Sequence, residues 1–184
     1  MELNEVLKQR RSVRRYSLRK VSFQKVSEIC EAALYAPMAG NIYTVKIILV
    51  SDKKKIKLLA NASQQPFIAE AEYVIAIYSK KDHAIRSYGK RADNYVRQQA
   101  GAAIENMLLK TVDIGLSTCW IGWFDEDAVK RILFLPDWAQ VEALLPVGYA
   151  LEKPGVRKKP DLKLITYFER FKQEEKSKPR NVFD

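Results

Sequence analysis

The chain has 184 residues, 47% of them hydrophobic and 29% charged, which fits one globular domain burying roughly 70% of its unfolded surface. Lys and Arg number 32 against 22 Asp and Glu, a formal net charge of +10, so the long-range field favours anionic partners. One histidine and two cysteines are too few for a zinc site or a disulfide framework, and they suggest no Cys-His or Ser-His-acid arrangement.

After a short amphipathic stretch at 2–9 comes Arg10-Arg11-Ser12-Val13-Arg14-Arg15-Tyr16. A guanidinium fork stays protonated and binds planar anionic oxygens in pairs, so Arg10, Arg11, Ser12 and Arg14 within five positions form a candidate phosphate cradle. The competing reading is a solvated basic turn, because charge runs are common on surfaces. Ser22 then serves as an N-cap, and Val26, Ile29, Cys30, Ala33 and Leu34 fall on one helical stripe that Pro37 stops. Residues 44–50 and 73–78 read as strands rich in β-branched side chains, with short helical pieces between them.

His83, in Lys80-Lys81-Asp82-His83, is expected in a surface loop. From about 92 to 113, apolar or small residues occupy nearly every face of a helical wheel. This predicts a central buried helix or one at a subunit interface, with Gly115 as its stop. A strand over 117–124, a helix opening on Asp125-Glu126-Asp127 and a strand over 141–148 follow. Cys30 and Cys119 are expected to be buried thiols, and composition alone reads Trp120 and Trp123 as core residues and Asn41 as a turn residue. Beyond 155 a basic turn leads into a tail of mixed apolar and charged residues without a core of its own.

The first residues lack the apolar core of a secretory signal, and no apolar run approaches the ~20 residues of a membrane span. A cytoplasmic protein with no membrane partner is expected. Nucleic acid is not expected either, since exposed aromatics do not interleave with the basic residues and no Gly-rich or helical recognition module is evident. The absence of G-x-G-x-x-G and of a Walker loop removes the commonest dinucleotide and triphosphate cradles.

Four segments in register, Arg10 to Tyr16, Ala36-Pro37-Met38-Ala39-Gly40-Asn41, Gly115-Leu116-Ser117-Thr118-Cys119-Trp120-Ile121-Gly122 and Leu145-Pro146-Val147-Gly148-Tyr149, resemble the nitroreductase-like family of FMN-dependent NAD(P)H oxidoreductases. The resemblance spans nearly the whole chain. It implies an α+β fold, a mostly antiparallel central sheet flanked by helices, in a single domain over 1–184 whose tail from 160 to 184 packs on the partner of a homodimer.

The same resemblance implies site roles. Arg10, Arg11, Ser12 and Arg14 would hold the FMN phosphate and ribityl chain, with a further phosphate contact from among Arg157, Lys158 and Lys159. Pro37, Met38, Ala39 and Asn41 would reach the flavin from the other subunit. Gln64 or Gln65 would touch the isoalloxazine edge, and Ile121 and Gly122, with Pro146 and Gly148 nearby, would line the ring. Met38 stands where the family commonly has serine, and Tyr43-Thr44-Val45 replaces the usual Gln-Pro-Trp, which bears on the substrate face and not on the phosphate grip.

The implied activity is hydride transfer from NAD(P)H through FMN to an electron-poor acceptor such as a nitroaromatic, quinone or free flavin, by a ping-pong mechanism without a catalytic side chain. Two other readings fit the sequence: a same-fold enzyme acting on a specific metabolite or on reduced flavin itself, and a non-catalytic basic protein that binds a polyanion.

Overall fold

A computed structural model describes residues 1–152, 155 and 158–172. Two compact units divide the chain, Met1–Pro154 and Gly155–Asp184. In the first, strands β1 (Val45–Val50), β2 (Tyr73–Ser79), β3 (Ser117–Thr118) and β4 (Gln140–Gly148) form one antiparallel sheet in the order β1-β2-β4-β3. Helices α1 (Leu3–Gln9), α2 (Phe23–Ala32), α3 (Lys53–Ala62), α4 (Asp82–Tyr88), α5 (Ala92–Asp113) and α6 (Glu126–Leu133) surround it. The antiparallel α+β architecture expected from the sequence is the one observed.

Strand β2 carries four consecutive buried residues, Val74 to Ile77, because helices cover both faces of the sheet. Alternation sends Ile75, Ile77, Ala143, Leu145 and Val147 to the face packed by α2 and α5, and Val74, Ala76 and Leu144 to the face packed by α3 and α6. A bulge interrupts this pattern. Ile77 pairs with Ala143 but Tyr78 pairs with Val141, so Glu142 is the extra residue, and the one-residue slip turns Val141 towards the second core.

The caps follow the local chemistry. Asp52 and Asp125 accept from the amides of Lys55 and Ala128, each at 2.9 Å, and open α3 and α6. At the end of α5, the amides of Gly115 and Leu116 donate to the carbonyls of Val112 and Thr111 at 3.0 and 2.9 Å, a Schellman closure that needs Gly115 at φ +75°.

Several expectations require correction. The strand over 117–124 shrinks to Ser117–Thr118 plus one bridge between Ile121 and Leu144, because β3 meets only the end of β4 before the chain swings outward. Trp120 and Trp123 lie on that excursion, 41% and 74% exposed, and are not core residues. Helix α2 tightens after Ala32 into a 3-10 turn over Ala33–Tyr35, whose steeper rotation carries Leu34 off the apolar stripe and into solvent. His83 is exposed as expected, but on α4 rather than in a loop. Cys30 is half-buried and Cys119 buried.

The first residues after α1 join the sheet without forming a strand. The amide of Val13 donates to the Thr118 carbonyl (3.0 Å), that of Ser17 to Tyr149 (2.9 Å), and that of Leu151 to Arg15 (3.0 Å). Tyr16 anchors the run: its hydroxyl lies 2.9 Å from the Val13 carbonyl and 3.2 Å from that of Pro146. Its ring lies 2.9 Å from where a Cβ on Gly148 would stand, so Gly148 must stay a glycine for Tyr16 to lie flat. Tyr16→Phe leaves two buried carbonyls short of a donor and is expected to destabilise the protein by about 1–3 kcal/mol. Leu18→Ala, at a residue 95% exposed, should stay within about 0.5 kcal/mol. Urea unfolding curves of both variants check this.

Candidate functional site

The pinned segment carries the basic side chains. Arg10 forms an ion pair through Nε with Glu105 of α5 at 3.3 Å, which holds the guanidinium beside that helix. Arg11 turns Nη1 onto the carbonyls of Lys8 and Arg10, at 2.6 and 2.7 Å. Ser12 is exposed and bridges Thr118, and Arg14 is exposed on the next outward position. The run does not alternate strictly, since Arg14 and Arg15 are both exposed between two buried residues. Val13 and Tyr16 point into a small cluster with Ala71, and the polar positions between them face out.

The polar turn at 64–65 approaches the same cluster. Gln64 adopts φ +53°, and its amide donates to the Asn61 carbonyl while that of Gln65 donates to Ala60, both at 3.0 Å. The turn leads into a 3-10 run, Pro66–Glu70, whose Phe67 packs on the Val13–Tyr16–Ala71 cluster and whose Glu70 accepts from the Tyr16 amide at 3.0 Å. The arginine segment, this turn and the Thr118–Gly122 excursion are therefore joined through the β3–β4 end of the sheet.

Within this group the side chains differ in what they offer. Ile121 is 2% exposed and packs into the second core, and its amide and carbonyl each form a backbone hydrogen bond of 3.0 Å with Leu144, so its side chain faces the core and its backbone is paired with β4. Gly122 is exposed beside the Trp120 indole. Pro146 and Gly148 lie beneath Tyr16.

Pro37, Met38, Ala39 and Asn41 have a different set of neighbours. Ala39 packs with Ile42, Tyr88, Tyr95 and Gln99 beside α4 and the first turns of α5. Lys158 and Lys159 are exposed in the second unit, and Arg157 lies outside the described residues.

Burial raises the pKa of the Tyr16 hydroxyl, with Cys119 adding to the rise and Arg14 opposing it. The Cys119 thiol is likewise pushed up by burial, against Arg14 and Ser12. Both groups stay protonated at neutral pH and supply neither nucleophile nor base. Among the described residues no group of His, Cys, Asp or Glu could hold a metal ion. The arrangement offers several guanidinium groups and the exposed Ser12 on a run held by the sheet, which suits binding a phosphorylated molecule.

Sequence reasoning missed three supports of this site: Glu105, Glu70 and Gln99. Polar residues that fall among the apolar positions of α5, as Gln99 beside Val96, Ala100 and Ala103, are the signal that could have found one of them. Glu70 gives none, since its partner is a backbone amide far along the chain.

The sequence profile of the Nitroreductase family matches residues 7–65 and 59–149. A protein of Archaeoglobus fulgidus provisionally named NADH dehydrogenase/NAD(P)H nitroreductase is 30% identical over 145 residues, covering 76% of this chain and 80% of its own. The FMN-dependent nitroreductase of Clostridium difficile R20291 superposes with a TM-score of 0.78 at 26% identity, over 90% of this chain and 98% of that one. A nitroreductase family protein of Clostridium novyi NT does so with a TM-score of 0.77 at 26% identity, over 95% and 97%. With its arginine segment pinned to the same kind of sheet, the chain belongs to the Nitroreductase family.

Proposed function

We propose that the protein is an FMN-dependent oxidoreductase that passes a hydride from NAD(P)H to an electron-poor acceptor, and that it works as a homodimer with flavin at the subunit interface. The observation that carries this reading is the row of outward arginines on a run tied by backbone hydrogen bonds to the sheet edge. The donor set suits a phosphate monoester: several guanidinium groups and an exposed hydroxyl. The matched family and the FMN-dependent relative of Clostridium difficile support it.

FMN bound there would supply a hydride carrier at N5. The chain's own residues do the rest. Arg10, Arg11, Ser12 and Arg14 grip the phosphate, and the turn at Gln64–Gln65 and the exposed Gly122, with Ile121 packed beside it, set the ring edge. Pro37, Met38, Ala39 and Asn41 reach the ring from the partner subunit.

Exposed apolar side chains support the dimer. Leu3, Leu34 and Tyr35 are 64%, 59% and 84% exposed, and Met1, Leu3, Val6, Tyr35 and Leu109 line a shallow groove of about 480 Å³ along α1 and α5. The second unit exposes Leu162, Ile165 and Phe171 as well, with Tyr167 and Phe171 stacked edge to face at 5.1 Å.

Charge-assisted bonds to phosphate contribute roughly 1.5–3 kcal/mol each, so Arg10→Ala or Arg14→Ala is expected to weaken FMN at least ~10-fold in calorimetric titration of the apoprotein. Unchanged affinity in both variants overturns the assignment. Mixing Arg10→Ala chains with Asn41→Ala chains should restore one intact site in each mixed dimer, since the arginines and the loop come from different subunits. Deleting residues from 164 onward should loosen the dimer in sedimentation runs.

Steady-state kinetics test the order of events. Because donor and acceptor would use one open ring face in turn, double-reciprocal plots at several acceptor concentrations should be parallel. His83→Ala, on the outer face of α4, should leave turnover unchanged. Intersecting plots would show that both substrates bind together.

A further inference from the structure

We infer that Gln99 and Tyr88 form a positioning clamp that sets residues 39–41 for contact with the flavin, an inference that rests on the functional reading above. Helix α5 buries mostly small and apolar residues, and Gln99, at 4% exposure, is its buried amide. The Gln99 Oε1 accepts from the Thr44 amide at 2.7 Å and from the Thr44 hydroxyl at 2.6 Å, while Nε2 donates to the Ile42 carbonyl at 3.2 Å. One side chain thus closes three hydrogen bonds around the point where the loop becomes β1. The sheet ladder then continues at once, with the Lys80 amide donating to the Thr44 carbonyl at 2.9 Å.

The opposite flank is held by shape. Gly40 lies so close to the Tyr88 hydroxyl that a Cβ there would overlap it. The Tyr88 ring is itself braced edge to face on Tyr95, with centroids 4.9 Å apart at 74°. Gly40 and Asn41 both sit in the left-handed region, at φ +55° and +58°. Two successive residues of that kind, one of them not glycine, persist only where the surroundings enforce them.

Asn41 is exposed, so its side chain owes its direction to these flanking contacts and not to contacts of its own. A buried polar residue that merely tied α5 to β1 would account for the Thr44 bonds. It would not account for a tyrosine seated against the one loop glycine whose neighbour is aimed outward.

The test is flavin titration of the apoprotein with FMN and, separately, riboflavin. Gln99→Leu and Gly40→Ala are expected to weaken both flavins by the same factor, about 10-fold, keeping the ratio of FMN to riboflavin affinity at its wild-type value. Arg10→Ala, by contrast, should collapse that ratio, since only FMN carries the phosphate. Adding Tyr88→Phe to Gly40→Ala removes the overlapping oxygen and should recover part of the lost affinity, which a general loss of folding would not do.

If Gln99→Leu fails to fold, the Gly40→Ala and Tyr88→Phe pair decides the matter alone. Folded variants that bind both flavins like the wild type overturn the clamp while leaving the FMN reading intact. A wild-type protein that takes up neither flavin overturns that reading and the clamp together.

Discussion

The capture of residues 12–17 by the β3–β4 end of the sheet is the constraint on which everything else here depends. A row of arginines on a free terminus would be a solvated charge run, with side-chain entropy opposing any one geometry. Val13, Tyr16 and three backbone hydrogen bonds remove that freedom, and the charged side chains inherit the register of the sheet. Gly148 is part of the same device, because a Cβ there would push Tyr16 off the strand. The core and the candidate site therefore share a boundary: the residues that face inward stabilise, and those between them stand exposed.

Two separate cores make this edge rigid. One lies under α2 and α5 and the other under α3 and α6, with β2 and β4 buried between them. The Glu142 bulge lets β4 serve both, since it reverses which face Val141 addresses. The candidate site residues gather at the end of β3 and in the turn after α3. Loops on a rigid frame are the usual home of binding residues, because they can vary without disturbing the packing that holds them.

Local chemistry was the legible part of the sequence. The α5 pattern, its Gly115 closure, the Asp125 cap and the two β-branched strands all report on neighbours within a few residues, and each reappears in the fold. The excursion from Cys119 to Phe124 was not legible, because its apolar residues look like a strand until one knows that the chain leaves β4 after Thr118 and meets it again at Ile121, opposite Leu144. The same holds for the site. Arg10, Arg11, Ser12 and Arg14 announce themselves by spacing, whereas Glu105, Glu70 and Gln99 act through partners 95, 54 and 55 positions away, which no periodicity encodes.

Pairing of β2 with β4 joins residues 73–79 to 140–147, and the arginine segment in turn needs Thr118, Tyr149 and Leu151. On a ribosome this order has a consequence. The arginine segment is made well before Thr118, Tyr149 and Leu151, so until they emerge it travels with the nascent chain without its sheet partners and positively charged. The closing of long loops delays the sheet, and the site edge can form only after it. An incomplete chain therefore presents the cations without the geometry, and the arginines take up their fixed register only when the strands of the first unit are made.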